Sequence, residues 1–276
     1  MPEFLAPEWE AGMARPCRLS ILCGMDSFSL GLINRHQVLV AYREYPYPSS
    51  GLEEAKGWLE EVQRDSLLTF SSDERTFQVM SPVFTFIPRR LYHENKVASY
   101  LAHLTDAVAD APLGTYTFTS WDMCMIYRVS PWQATLAESL FPGNIPLPAF
   151  AQVLPFLGRQ SSEGVQVFAR LGRENALLVV FRDGLFQFAN TFICRQDTDF
   201  SYFIHLVCQQ FQVNPLHETL YLWGELEEES ELLASLRQEF CRIKFLEAQP
   251  IRRPESRTRI VQEWRVLEHL LEPPVT

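Results

Sequence analysis

The chain has no uninterrupted apolar run that could span a bilayer. Its longest stretches, such as Ala176 to Phe181, fall far short of the roughly 20 residues a crossing helix needs. Its first residues, Met1-Pro2-Glu3-Phe4, lack the basic start and apolar core of a secretory signal, so a cytoplasmic location is expected. Cysteine is sparse: six residues at 17, 23, 124, 194, 208 and 241, none in a CxxC pair and none with histidine at zinc-finger spacing. They read as small buried hydrophobes, and no disulfide framework is expected. The six histidines lie far apart without an HxxxH pair, and His205 sits in an apolar helical context that suggests packing. There is no GxSxG elbow, GxxxxGK[ST] loop or GxGxxG turn. Positive charge is also short, with 24 Lys and Arg against 34 Asp and Glu for a net charge of −10. That balance argues against a general nucleic-acid binder, which needs a basic face to displace counterions. No basic stripe accompanies Trp9, Trp58, Trp121, Trp132, Trp223 or Trp264, so these are read as core or interface residues rather than stacking platforms.

What the chain does have is size, apolar content and an internal repeat. Its 276 residues, 47% of them hydrophobic and 21% charged, suit two globular domains that bury their cores without metals or disulfides. Near the start, Arg18 to Cys23 reads as a strand, Gly24-Met-Asp-Ser27 as a turn and Phe28 to Ile33 as a second strand. A turn at Asn34-Arg-His36 and a third strand, Gln37 to Tyr42, follow. Further along, strand Val165 to Arg170, turn Gly172-Arg-Glu-Asn175 and strand Ala176 to Phe181 restate the pattern. Arg182-Asp-Gly184, a strong hairpin signal, then leads into Leu185 to Phe192. The turns begin at 24 and 34 in one half and at 172 and 182 in the other, so both gaps are ten residues.

Helices follow in each half. Ser50 and Glu53 form a capping box ahead of Leu52, Ala55, Leu59 and Val62. Asp197 is the expected N-cap of a helix whose Phe200, Phe203, Ile204, Val207, Cys208 and Phe211 make one stripe. The strands expected after these helices are Val83 to Ile87 and Thr219 to Trp223, with further helices at Asn95 to Leu104 and Ser230 to Glu239. Strand Arg242 to Leu246 is expected in the second half. The first half adds strand Met123 to Val129 and a helix opened by Ser130-Pro131, an N-cap followed by proline at N1. A last helix, Ser256 to Leu271, carries Ile260, Trp264, Leu267 and Leu271 on one face. The expected organisation is an N-terminal extension (1–16), a first lobe (17–158), a linker (159–164) and a second lobe with its C-terminal helix (165–276). The acidic run Glu225 to Glu231 and the basic Arg252, Arg253, Arg257, Arg259 and Arg265 read as solvated surfaces, or as docking surfaces for a charged partner.

A three-strand antiparallel meander followed by a helix and a strand, used twice, resembles the actin-like ATPase fold with its duplicated ribonuclease-H-like lobes. Phe28-Ser29-Leu30, Phe86-Ile87-Pro88 before Leu91-Tyr92, and Val129 to Phe141 with Pro142 carry the resemblance. Gly184-Leu-Phe-Gln-Phe188, Asn190-Thr-Phe192, Asp199-Phe-Ser-Tyr202 and Leu222-Trp-Gly224 complete it, over roughly residues 17 to 247. More narrowly, the chain is similar to an uncharacterised bacterial family, a domain of unknown function with that fold. The expected class is therefore α/β, with mixed sheets and helices in duplicated actin-like lobes.

The resemblance implies a nucleotide site whose Asp-x-Gly-Thr/Ser turns cradle phosphates and position Mg²⁺ and water. Asp26-Ser27-Phe28-Ser29 keeps the carboxylate and the last serine, but puts phenylalanine where glycine belongs. Arg170-Leu171-Gly172 keeps the glycine and replaces the carboxylate with arginine, which neither binds Mg²⁺ nor acts as a base. The adenine-side Gly-Gly is reduced to Gly224-Glu225. Asp26, Ser27, Ser29, Arg170, Gly172 and Gly224 are thus candidates for a degenerate cleft, with no catalytic residue, metal ligand or cofactor expected. Against that, Asp26 has a plain reading as a turn residue and Arg170 as a strand residue. The expected function is a non-catalytic scaffold that docks a protein partner. The alternative is a nucleotide-binding, kinase-like enzyme with a non-standard cleft, and a two-metal nuclease would need carboxylates the chain does not offer.

Overall fold

The structure is a computed structural model that describes residues 3–5, 18–48, 52–102, 104, 111–142, 146–161, 163–225, 230–246 and 267–271. The chain divides into two compact units, Met1–Ala151 with Glu268–Thr276, and Gln152–Leu267. It is an α/β protein with mixed sheets, as the repeat predicts.

In the first unit, β1 (Glu3–Leu5), β2 (Arg18–Cys23), β3 (Ser27–Ile33) and β4 (Leu39–Pro46) precede α1 (Leu52–Gln63), α2 (Ser66–Thr69) and β5 (Glu74–Val79). The meander β2–β3–β4 is antiparallel and β5 joins β2 in parallel, giving the order β1-β4-β3-β2-β5-β9, where β9 is Leu147–Pro148. Alternation sends successive side chains to opposite faces. Leu19, Ile21, Phe28, Leu30, Phe77 and Val79 form one buried apolar face. Phe28 meets the ring of Trp58 on α1 edge-on, and Trp58 Nε1 donates to Pro46 O at 2.8 Å. The other face is polar yet buried: Ser20, Ser29, Glu44, Thr76 and Gln78 are all less than a tenth exposed. A separate three-stranded sheet, β6-β8-β7, is built from β6 (Phe84–Pro88), β7 (Leu113–Phe118) and β8 (Met123–Arg128), with α3 (Val97–Leu101) between β6 and β7. Helix α4 (Pro131–Leu140) opens on the expected Ser130, whose side chain forms a full capping box with Gln133.

The second unit has the same frame. Strands β10 (Val165–Leu171), β11 (Asn175–Arg182) and β12 (Leu185–Ile193) make the meander, and β13 (Thr219–Gly224) joins β10 in parallel. β14 (Arg242–Phe245) completes the order β12-β11-β10-β13-β14. After α5 (Phe150–Gln160), helices α6 (Asp197–Gln210) and α7 (Glu231–Glu239) cover the sheet with Phe200, Ile204, Val207, Leu232, Leu233 and Leu236. The last described helix is α8 (Leu267–Leu270).

Several expectations shift. The strand that follows the helices of the first unit and pairs with β2 is β5; the expected Val83 to Ile87 lies in the separate sheet. The N-cap of α6 is Gln196 rather than Asp197, because the Asp199 carboxylate accepts from the N–H groups of Arg195 and Gln196. The helix expected at 95–104 is the short α3, preceded by a 3₁₀ turn at Glu94–Lys96. The unit boundary falls within α5, ahead of the expected linker at 159–164, and residues 268–276 group with the first unit. Residues 3–5 of the expected extension form β1 and pair with β4. Ser50, residues 256–266 and the arginines from 252 to 265 lie outside the described residues, and nothing of the Glu53 side chain is described. Among the described residues, no helix is long and apolar enough to cross a membrane.

Candidate functional site

The two turns share their hydrogen bonds. Gly24 N donates to Ser27 O at 2.8 Å, and Gly172 N donates to Asn175 O at 2.8 Å. Beyond the parallel strand, Met80 N donates to Cys23 O at 2.9 Å and Glu225 N to Leu171 O at 2.6 Å. The registers agree: Cys23 sits opposite Phe28 and Val79, as Leu171 sits opposite Ala176 and Gly224. Gly24 therefore corresponds to Gly172, Phe28 to Ala176, and Met80 to Glu225. This register sets Arg170 against Leu22 and Asp26 against Glu174, so the two sequence motifs compared above are offset by four positions. Counted back from the turn glycine, the carboxylate place holds leucine in one unit and arginine in the other.

The first turn is closed by neighbouring side chains. Tyr47 N donates to Asp26 O at 3.1 Å, and the Tyr47 hydroxyl lies 3.2 Å from both Gly24 O and Cys23 Sγ. Burial pushes the Cys23 thiol up to about 12 and lifts the Tyr47 hydroxyl well above its ordinary value, so both stay neutral. Gln133 Nε2 lies 3.2 Å from Met80 O and 3.4 Å from the carbonyls of Cys23 and Gly24. Leu22, Met80 and Ala149 pack together with Met25 against them. Phe28 is fully buried, its ring set against Tyr45 and Trp58 on the apolar face. Ser27 supplies the carbonyl that closes the turn, and Ser29 points to the opposite face from Phe28.

The second turn is ionic where the first is apolar. Arg173 Nε donates to Glu225 Oε2 at 2.9 Å, a link between the positions that Met25 and Met80 hold in the first unit. Gly224 has φ +99°, and a Cβ there would lie 2.3 Å from Leu171 O and 3.2 Å from Arg170 Cγ. That position demands glycine, both for its backbone and for the close approach. Arg170 is buried beside it. Among the described residues, no group of three or more His, Cys, Asp or Glu side chains could hold a metal ion. The described cysteines, Cys23, Cys124, Cys194, Cys208 and Cys241, are free thiols.

One polar centre was not foreseen. His269 of α8 is buried on the polar face of the first sheet, its Nδ1 3.0 Å from Ser20 Oγ and its Nε2 2.8 Å from Ser29 Oγ. A serine hydroxyl can give or accept, so the neutral ring is satisfied in either tautomer. A Cβ at Gly31 would lie 2.9 Å from the imidazole, and Tyr42 packs edge-on against it. Arg18 donates to the carbonyls of His269 and Leu271. Burial holds the imidazole down at about 4, Glu268 opposing and Arg18 adding to that effect. Ser29, a candidate for a phosphate site, is thus a partner of His269. The sequence signal was the small, polar register Ser20, Ser29 and Gly31, which a sheet face keeps only when something polar covers it.

Solved structures share this architecture. A Bacteroides thetaiotaomicron protein with actin-like ATPase fold and unknown function is 19% identical with TM-score 0.72, over 85% of this chain and 92% of that chain. The PilM-PilN type IV pilus biogenesis complex matches at 13% identity and TM-score 0.56, over 83% and 88%. At such identities the likeness establishes the actin-like fold alone. No curated protein matches the chain. The pattern of one sequence family, described as a protein of unknown function (DUF3822), matches residues 7–242, and the chain belongs to that uncharacterised family.

Proposed function

We propose that this chain is a non-catalytic actin-like scaffold that docks a protein partner in the cytoplasm, its nucleotide site degenerate. One observation carries the reading. Both strand–turn frames keep their hydrogen bonds, while the residue two places before the turn glycine is Leu22 in one unit and Arg170 in the other. Catalytic use of such a turn needs an oxygen ligand for Mg²⁺, which neither residue provides. Leu22 packs with Met80 and Ala149, so hydrocarbon lies where the carboxylate would be. The pilus protein of similar fold is named as part of a complex, in keeping with a docking role for this architecture.

Calorimetry of the purified chain with ATP and with ADP, each with Mg²⁺, tests the reading, alongside a phosphate-release assay. No saturable heat and no release above buffer are expected. Saturable binding with turnover that disappears in Asp26→Ala or Arg170→Ala would establish the nucleotide-binding alternative instead.

A further inference from the structure

His269 does not account for the whole polar face of the first sheet. On β5, Thr76 and Gln78 project to this face and are 6% and 1% exposed. Thr76 Oγ1 and both amide atoms of Gln78 have no hydrogen-bond partner among the described residues. Folded proteins bond nearly all such buried groups, to protein or to ordered water, because an orphaned group loses its solvation without replacement. Residues two apart on one strand share a face, so these two orphans border one region. A third group faces it as well. Ser20 on β2 sits opposite Thr76 in the parallel register, and its hydroxyl is bonded to His269 Nδ1 at 3.0 Å. A hydroxyl can give one bond and accept two, so Ser20 can still bond a further group.

We infer that Ser20, Thr76 and Gln78 form a buried site for small, uncharged hydrogen-bonding molecules, and that its occupant is water. Neighbouring strands lie about 4.8 Å apart. That is too far for two opposed hydroxyls to bond directly, and Thr76 Oγ1 indeed makes no bond to Ser20. It is about the span of one bridging water, whose two arms of about 2.8 Å open at a near-tetrahedral angle. Gln78 lies two residues further along β5, opposite Leu22, and its amide offers two N–H donors and a carbonyl acceptor. A molecule that both gives and accepts can satisfy every one of these groups, and water does so within the smallest volume. Charge and size point the same way. The three side chains are neutral, and Arg18, the cation of this face, is bonded to the carbonyls of His269 and Leu271. Each of the three is less than a tenth exposed, which encloses the occupant and excludes a metabolite-sized one. The hydrogen-bonded line then runs from Ser29 through His269, Ser20 and water to Thr76 and Gln78, beside Leu22 and two residues short of the turn glycine. This inference is independent of the scaffold and nucleotide readings, since it concerns the interior of one sheet face.

A crystal structure of the full wild-type chain, at a resolution that orders solvent, tests the site directly. A water within about 3.2 Å of both Ser20 Oγ and Thr76 Oγ1 is expected, with water also on the Gln78 amide. Direct contact between the two hydroxyls, or a Thr76 hydroxyl and Gln78 amide bonded only to protein, overturns the inference. In solution, Thr76→Val keeps the side-chain shape and removes the hydroxyl. It should raise the unfolding equilibrium constant about fivefold and remove at least one long-lived water from the ¹⁷O relaxation dispersion of the folded chain. Gln78→Met should act in the same direction. Removing a group that bonds nothing in the folded chain would instead leave stability unchanged or raise it. That result, or an unchanged number of long-lived waters in Thr76→Val, also overturns the inference.

Discussion

The turns at Gly24 and Gly172 are one backbone solved with two chemistries. In the first unit the positions around the turn are Leu22, Met25 and Met80, which pack as hydrocarbon with Ala149. In the second they are Arg170, Arg173 and Glu225, the last two joined by an ion pair. The closing hydrogen bonds have the same length, 2.8 Å, in both. The frame is therefore held by strand register and by glycine at the turn, and the side chains beside it are free to change. One backbone frame can thus carry two different side-chain chemistries at its turns.

The sharpest way to break the comparison is to exchange a residue on which the units differ. Phe28 and Ala176 occupy corresponding positions. Phe28→Ala makes the first unit resemble the second, yet should cost about 4 kcal/mol, because the fully buried ring against Trp58 and Tyr45 has no replacement. Chemical denaturation measures this; a loss below about 1 kcal/mol would show that the first unit tolerates the smaller residue as the second does.

The His269 centre, formed in the first unit, gives a test by pH. The folded imidazole sits at about 4 against an ordinary 6.5, so the unfolded chain takes up a proton that the folded chain refuses. Stability from this group is complete above about pH 6.5 and falls as pH drops toward 4, by about 3 kcal/mol in all. The charged and titratable neighbours are Arg18, Glu268 and Tyr42. His269→Leu should be less stable at neutral pH and should lack this portion of the pH slope. An unchanged slope between pH 6.5 and 4 would refute the assignment.

The smallest effect is expected at the ionic turn. Arg173→Met, copying Met25, should change stability by less than about 1 kcal/mol, since the Arg173–Glu225 pair is partly exposed. A larger loss in a thermal melt would mean that the second turn depends on its charges.

These contrasts also show what the sequence could disclose. The meanders were legible because alternating strands and turn residues are local signals, and the equal spacing of the turns reports the shared frame. Ser130, Pro131 and Gln133 marked a helix start for the same reason. Strand β5 was missed because both its faces are buried and one carries Thr76 and Gln78, so only Phe77 and Val79 mark it as apolar. The correspondence of Leu22 with Arg170 was hidden because Asp26-Ser27-Phe28-Ser29 imitates a motif one turn too late. Only hydrogen bonds and register decide which residues are equivalent. The role of Ser29 required a partner at position 269, and no local pattern encodes a contact of that range.

That range has a consequence for how the protein is made. Arg18 bonds to the carbonyl of Leu271 across a separation of 253 residues, and His269 enters a socket lined by β2 and β3. Synthesis delivers those strands well before their histidine, while everything in the second unit emerges between them. The Ser20 and Ser29 hydroxyls must wait in water through that interval. The polar face of the first sheet is thus completed by α8, through a long-loop closure that no chain ending before residue 267 can make.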